Sequence, residues 1–302
     1  MSIVEKAAEK LKALPVESPA TPSVDTPSQH AAPTVERSQE RAQAAEQPVE
    51  TTPPWHVDPA VLKRMGLVPA DEQAGARLAD ELRRIKRPLL NNAIGEGAET
   101  FARGKHIMVT SAEAGEGKTF AAVNLALSLA READFEVLLV DGDIPKHDTT
   151  HAFGLDGKPG LMDVLVDELL APAEVIVRTD VPNLLVVPAG KPHPLAAELF
   201  RSRRMEYVLD EFGGRNRRRL VVFDSSPLLA TSESQVLASH MGQVVMVIAA
   251  GRTRRQAVTS ALQSLNDFQY VGLVLNMANL PASEGYYNHH YSQYFKALQG
   301  EV

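Results

Sequence analysis

Apolar positions follow three different regimes along the chain. From Ser2 to Leu14 (SIVEKAAEKLKAL), Ile3, Ala7, Leu11 and Leu14 recur at helical spacing with charges opposite. This predicts an amphipathic helix over residues 1–14. Residues 15–70 then lose periodicity: ten of the 20 prolines lie in the first 69 residues, and Trp55 is the only aromatic before Phe101. Such a segment buries too little apolar surface to offset its chain entropy, so a disordered Pro-rich leader is expected up to residue 70. From Asp71 onward, short apolar runs alternate with helical periods. Ala76–Arg87 reads as a helix with Leu78, Leu82 and Ile85 inward and Pro88 at its end. Strands are predicted at His106–Thr110, Val137–Val140, Leu184–Val187, Leu220–Phe223, Val244–Ile248 and Val271–Leu275. Helices are predicted at Thr119–Ala133, Leu161–Leu170, Ala196–Phe212, Ser232–His240 and Thr253–Phe268. Strands apolar on both faces and separated by helices describe an α/β fold, a mostly parallel sheet with helices on both faces. One domain is expected over residues 71–280, followed by a flexible tail at 281–302.

Composition narrows the chemistry. With no cysteine among 302 residues, disulfides, thiolate metal sites and cysteine nucleophiles are excluded. A formal charge of −7 and a pI near 5.8 argue against a nonspecific nucleic-acid binder. No run approaches the roughly 18 apolar residues of a membrane span, and no apolar signal core opens the chain. The expected location is the cytoplasm.

The strongest motif follows the first strand. His106–Thr110 runs into Ser111-Ala112-Glu113-Ala114-Gly115-Glu116-Gly117-Lys118-Thr119 and then a helix, which is a P-loop whose first glycine is replaced by Ala112. Gly115 and Gly117 let backbone N–H groups turn toward phosphate oxygens. Residues Ala114 to Phe120 are therefore the expected nucleotide cradle, with Lys118 reaching the β- and γ-phosphates and the Thr119 hydroxyl on Mg²⁺. Two further strands end in carboxylates: Asp141 and Asp143 after Phe135–Val140, and Asp224 after Leu220–Phe223. Ligands of open α/β sheets bind beyond the carboxyl ends of the strands, so all three aspartates should face the P-loop. Clustered carboxylates there call for Mg²⁺. A nucleotide switch needs one such acid; a second beside the γ-phosphate can take a proton from an incoming hydroxyl. Asp141 is the candidate base, with Asp143 and Asp224 acting through the metal.

Together the P-loop, Asp141-x-Asp143, Asp224 and a tyrosine-rich C-terminus resemble the bacterial tyrosine kinases, in particular the autokinases found beside exosortase systems. Arg84-Ile85-Lys86-Arg87-Pro88-Leu89-Leu90 looks typical of that branch. The resemblance implies an ATP- and Mg²⁺-dependent autokinase acting in exopolysaccharide synthesis and export. It implies phosphorylation of Tyr286, Tyr287, Tyr291 and Tyr294, four of the six tyrosines, for which a docked aromatic patch is the competing reading. Each phosphate would add about −1.5 to −2 charge. Glu81, Arg84 and Arg87 share one helical flank, and in this family an E-x-x-R-x-x-R helix joins neighbouring subunits in a ring, so that each tail meets its neighbour's active site. The resemblance further implies a membrane chain-length-determinant protein as activator, recruitment to the inner face of the membrane, and a tyrosine phosphatase. Asn276 is matched to the adenine by analogy with related P-loop folds. Two positions depart from the family: Pro145-Lys146 stands where an arginine is frequent, and Ser226 where a proline is more usual.

Competing readings remain at this stage. A positioning ATPase of the ParA/MinD kind shares the fold but carries a lysine where this chain has Glu113. A nucleotide-controlled, non-catalytic scaffold is a third possibility. A GTPase is disfavoured because Asn276-Met277-Ala278-Asn279 lacks the aspartate that reads guanine. The basic run Arg215–Arg219 is either a solvated loop or a docking site for an acidic partner. His289-His290 lacks the spacing of a metal site.

Overall fold

In the computed structural model, residues 53–95, 103–213, 218–265 and 270–278 are described. The N-terminal amphipathic segment, the tyrosine cluster, His289-His290 and most of the basic run lie outside them.

Seven strands form one sheet in the order β3-β4-β2-β5-β1-β6-β7. They are β1 (His106–Ser111), β2 (Glu136–Gly142), β3 (Val177–Arg178), β4 (Leu184–Val187), β5 (Arg219–Ser225), β6 (Gln243–Ala249) and β7 (Val271–Asn276). All pairings are parallel except that of the two-residue edge strand β3 with β4. Every β1 position is buried, its apolar centre Ile107–Val109 as well as its polar ends His106, Thr110 and Ser111, as expected of a strand covered on both faces.

The helices are α1 (Pro59–Arg64), α2 (Glu72–Ile94), α3 (Lys118–Leu129), α4 (Asp148–Ala152), α5 (Leu161–Val166), α6 (Ala196–Phe200), α7 (Arg203–Gly213), α8 (Ser232–Ala238) and α9 (Arg255–Gln263). One face of the sheet packs against Leu161 and Leu165 of α5, Phe200 of α6, Phe212 of α7 and Ala261 of α9. The other packs against Leu62 of α1, Leu82 and Leu89 of α2, and Leu125 and Leu129 of α3. Leu139 of β2 and Val109 of β1 point to this second face. By the two-residue period of a strand, Asp141 and Ser111 point there too.

The folded unit starts well before residue 71. Asp58 caps α1 by accepting from Ala60 N at 2.8 Å, Pro59 occupies the first helical turn, and Val57, Leu62 and Leu67 are buried. Here proline starts a helix, where its missing N–H costs nothing, and does not mark disorder. Trp55 pairs with the edge beside β3: its N–H donates to Arg178 O at 2.7 Å, and Asp180 N donates to Trp55 O at 2.9 Å. Pro88 does not end α2, which continues to Ile94 and stops at Gly95 in a left-handed conformation (φ 74°). The carbonyl that Pro88 leaves without an amide belongs to Arg84, on the exposed flank where water can serve it. The single helix expected over Ala196–Phe212 is two, because Ser202 intervenes and its Oγ accepts from Met205 N at 3.2 Å. The helices expected at Thr119–Ala133 and Leu161–Leu170 stop at Leu129 and Val166.

Candidate active site

The P-loop joins β1 to α3. Gly115 and Gly117 hold φ of 81° and 89°, a region that side chains disfavour. A Cβ on Gly117 would also clash with Asn276 Nδ2. The loop is braced from within: Glu116 Oε2 accepts from Glu113 N at 2.8 Å, and Glu116 Oε1 accepts from the Thr253 hydroxyl. Asn276 Nδ2 donates to Glu116 O at 2.9 Å, so the last strand supports the loop directly. The analogy places Asn276 at the base; the structure places its amide on the phosphate loop.

Strand order then assembles the carboxylates. β2 and β5 are adjacent, and Asp141 is the register partner of Asp224. Paired residues of parallel strands project to one face, here the face covered by α3, which carries Lys118 and Thr119 at its N-terminus. Lys118 Nζ forms a buried ion pair with Asp143 Oδ2, whose Oδ1 accepts from Ser226 Oγ at 2.7 Å. Ser226 thus holds a site carboxylate. Asp141 accepts from Thr150 Oγ1 at 2.6 Å, from Thr150 N at 2.7 Å and from Asp143 N at 3.2 Å. Asp224 Oδ2 accepts from Thr149 Oγ1 at 2.9 Å, while Asp224 Oδ1 is buried with no hydrogen-bond partner.

Burial dominates the electrostatics. It pushes the Asp141 carboxyl up to about 6, against the hydrogen bonds from Thr150 and Asp143. It pushes Asp224 up to about 7, although Lys118 and the hydroxyls of Thr149 and Thr119 favour its ionised form. Burial alone would lower the Lys118 pKa, but the charges of Asp224 and Asp143 hold it above its ordinary value. One ammonium serves Asp143 and Asp224, and Asp141 lies beside Asp224, which leaves the cluster short of positive charge.

The donor set fits a magnesium ion carried in with phosphates. Among the described residues, no group of three or more His, Asp and Glu forms a ready-made cage. Mg²⁺ in phosphate-transfer sites needs only one or two protein oxygens and completes its shell with phosphate and water. Thr119 and the orphaned Asp224 Oδ1 are such oxygens, and a buried carboxylate oxygen without a donor is what a cation-bound water would satisfy.

Three of the surrounding polar groups escape sequence reasoning, Thr149, Thr150 and Thr253, and Ser226 enters it only as a departure from the family pattern. Thr149 and Thr150 sit on a five-residue helix with no periodicity to announce it. Elsewhere, Glu81, Arg84 and Arg87 are all exposed on α2, and none makes an ion pair among the described residues.

A P-loop after the first strand of a parallel sheet, facing aspartates at the ends of two neighbouring strands, defines a nucleotide-binding α/β domain. The AAA domain model matches residues 104–271. Tyrosine-protein kinase YwqD of Bacillus subtilis is 31% identical over 187 residues, covering 61% of this chain and 77% of YwqD. Tyrosine-protein kinase wzc of Salmonella typhi is 28% identical over 197 residues, covering 64% of this chain but 26% of the relative. Among solved structures, the VpsO kinase domain is 29% identical with a TM-score of 0.53, covering 65% of this chain and 98% of that one. The chain belongs to the bacterial tyrosine kinase family, within the AAA domain group.

Proposed function

We propose that this chain is an ATP-dependent autokinase that phosphorylates the tyrosines of its own C-terminus between subunits and acts in exopolysaccharide synthesis and export. The observation that carries the reading is the buried register pair Asp141–Asp224, with Lys118 placed against Asp224 and ion-paired with Asp143. That pair offers one acid for a metal and another for a proton, an arrangement beyond what a nucleotide switch needs.

The cradle Ala114 to Phe120 holds the triphosphate, with Asn276 bracing the loop from behind. Lys118 leaves Asp143 for the β- and γ-phosphates, exchanging one anionic partner for another. Thr119, Asp143 and Asp224 hold Mg²⁺, which when bound neutralises charge on the β- and γ-phosphate oxygens. Asp141 orients the tyrosine hydroxyl and takes its proton as the new phosphorus–oxygen bond forms and ADP departs. The acceptors are Tyr286, Tyr287, Tyr291 and Tyr294 of a neighbouring subunit. Glu81, Arg84 and Arg87 form the contact between subunits of a ring-like homo-oligomer, a role supported by their exposure on one flank of α2. The activator is a membrane chain-length-determinant protein that recruits the chain to the inner membrane face, and a tyrosine phosphatase reverses the modification. No helix of the described residues is long and apolar enough to cross a membrane. The match to a quarter of the longer wzc chain supports a kinase domain that works together with further segments.

The test is peptide mapping of phosphotyrosine after the full chain meets Mg·ATP with its activator. Label on the four tail tyrosines that disappears in Asp141→Asn, with assembly retained, supports the reading. ATP hydrolysis without tyrosine label would indicate a positioning ATPase. Assembly indifferent to Asp141→Asn, without label in either form, would indicate a scaffold.

A further inference from the structure

The sharpest unassigned feature is the pair of consecutive threonines on α4. Thr149 and Thr150 are both buried, and each gives its hydroxyl to a different site carboxylate. Thr150 Oγ1 also accepts from Ala189 N at 2.9 Å, just beyond β4. A hydroxyl has a single hydrogen. With Ala189 N–H occupying an acceptor position, that hydrogen is committed to Asp141, and the chain Ala189 N–H, Thr150 O–H, Asp141 has one direction. The Thr150 amide reaches the same Oδ2 at 2.7 Å, so this oxygen is tied twice. The opposite oxygen, Oδ1, keeps only the 3.2 Å bond from Asp143 N. On Asp224 the division is sharper: Oδ2 takes Thr149, and Oδ1 is buried without a partner.

We infer that Thr149 and Thr150 are positioning residues that split each carboxylate into a tied oxygen and a working oxygen. Thr150 fixes Asp141 so that Oδ1 faces the acceptor hydroxyl. Thr149 fixes Asp224 so that Oδ1 faces the cation and its waters. Neither threonine touches substrate. Helix α4 delivers both because two successive residues of a helical turn project about 100° apart, enough to reach neighbouring strands β2 and β5. The helix is itself anchored, since Trp55 Nε1 donates to Phe153 O at its C-terminal end at 2.9 Å. The inference rests on the kinase reading above and deepens it.

The test uses the full chain with its activator and compares Thr150→Val, Thr150→Ser, Thr149→Val and Thr149→Ser. Loss of an outer hydrogen bond to a working ligand typically costs about 10–100-fold in activity or metal affinity. Thr150→Val is therefore expected to lower the autophosphorylation kcat by about 10–100-fold while KM for ATP moves less than about twofold. Thr150→Ser restores kcat because it keeps the hydroxyl. Thr149→Val instead raises by about tenfold the Mg²⁺ concentration at half-maximal thermal stabilisation of the ADP-bound protein, as well as that for half-maximal rate, and Thr149→Ser does not. Equal kcat in Thr150→Val and wild type, or equal loss in Thr150→Ser and Thr150→Val, overturns the inference. If Thr150→Val does not fold, the Mg²⁺ titration of the Thr149 pair decides, and an unchanged midpoint overturns it. Absence of tyrosine label in the wild type would instead sink the kinase reading, so the two failures are distinguishable.

Discussion

Replacing Asp224 by asparagine should make the nucleotide-free protein more stable while abolishing its chemistry, and the gain should depend on pH in a defined way. Asp224 has its carboxyl raised from 3.8 to about 7, chiefly by burial. Between those values the folded state keeps a proton that the unfolded state has released, so stability falls as pH rises through the window and levels off above it. At about 1.4 kcal/mol per pH unit, some three units correspond to about 4 kcal/mol at pH 8 and about 2 kcal/mol at pH 5. Asparagine carries no such cost and retains an oxygen for Thr149. Its amide must still find a partner at the buried Oδ1 position, so about half of the gain is expected to remain. For a domain of this size, about 2 kcal/mol at pH 8 is roughly 4–8 °C in thermal midpoint. The assay is thermal unfolding of both proteins from pH 4 to pH 8.5 without nucleotide. Because the amide cost does not titrate, Asp224→Asn should be less stable than wild type at pH 4, about level with it near pH 5, and ahead on a plateau above pH 7. A difference that is flat with pH, or a variant less stable than wild type at pH 8, refutes the reasoning. A second arm with Mg·ADP should stabilise the wild type more than the variant, because only the wild type presents the carboxylate.

Two further outcomes follow from packing. Gly117→Ala should weaken nucleotide binding by at least about tenfold, because it demands φ of 89° from an alanine and drives its Cβ into Asn276, the brace of the loop; titration with a fluorescent ATP analogue measures it, and an unchanged affinity would show that the loop relaxes at little cost. Leu62→Ala should destabilise by about 2–5 kcal/mol in denaturant unfolding, because Leu62 is 4% exposed within the core beneath α2; a silent substitution would mean that residues 53–70 are a tether after all.

How much the sequence discloses depends on the range of the forces involved. All six strands read from apolar runs lie where those runs put them, because the central strands are covered on both faces and the edge strand β7 keeps an apolar run although Leu273 and Leu275 are exposed. The P-loop was legible because its glycines, lysine and threonine are contiguous. β3 and α4 were not, since two or five residues carry no period, and each owes its geometry to neighbours remote in the chain. Proline misled twice, once at Pro59 and once at Pro88. In each case the position within the helix, which tertiary packing settles, decides whether the missing N–H costs anything.

The active site shows the same division. That Asp141 and Asp224 end strands can be read locally, but their pairing follows from β2 and β5 being neighbours. Adjacency is what makes the site costly: two buried carboxylates share one face, and the lysine beside Asp224 is already ion-paired with Asp143. Such a cluster is costly for folding, and apolar replacements would pack there at less cost. Its presence at the end of an otherwise apolar sheet is therefore an argument for a ligand that brings positive charge. The threonine pair of α4 sharpens that argument at Asp224, where Thr149 satisfies one oxygen and the other stays buried without a partner. A merely structural network would be expected to satisfy both.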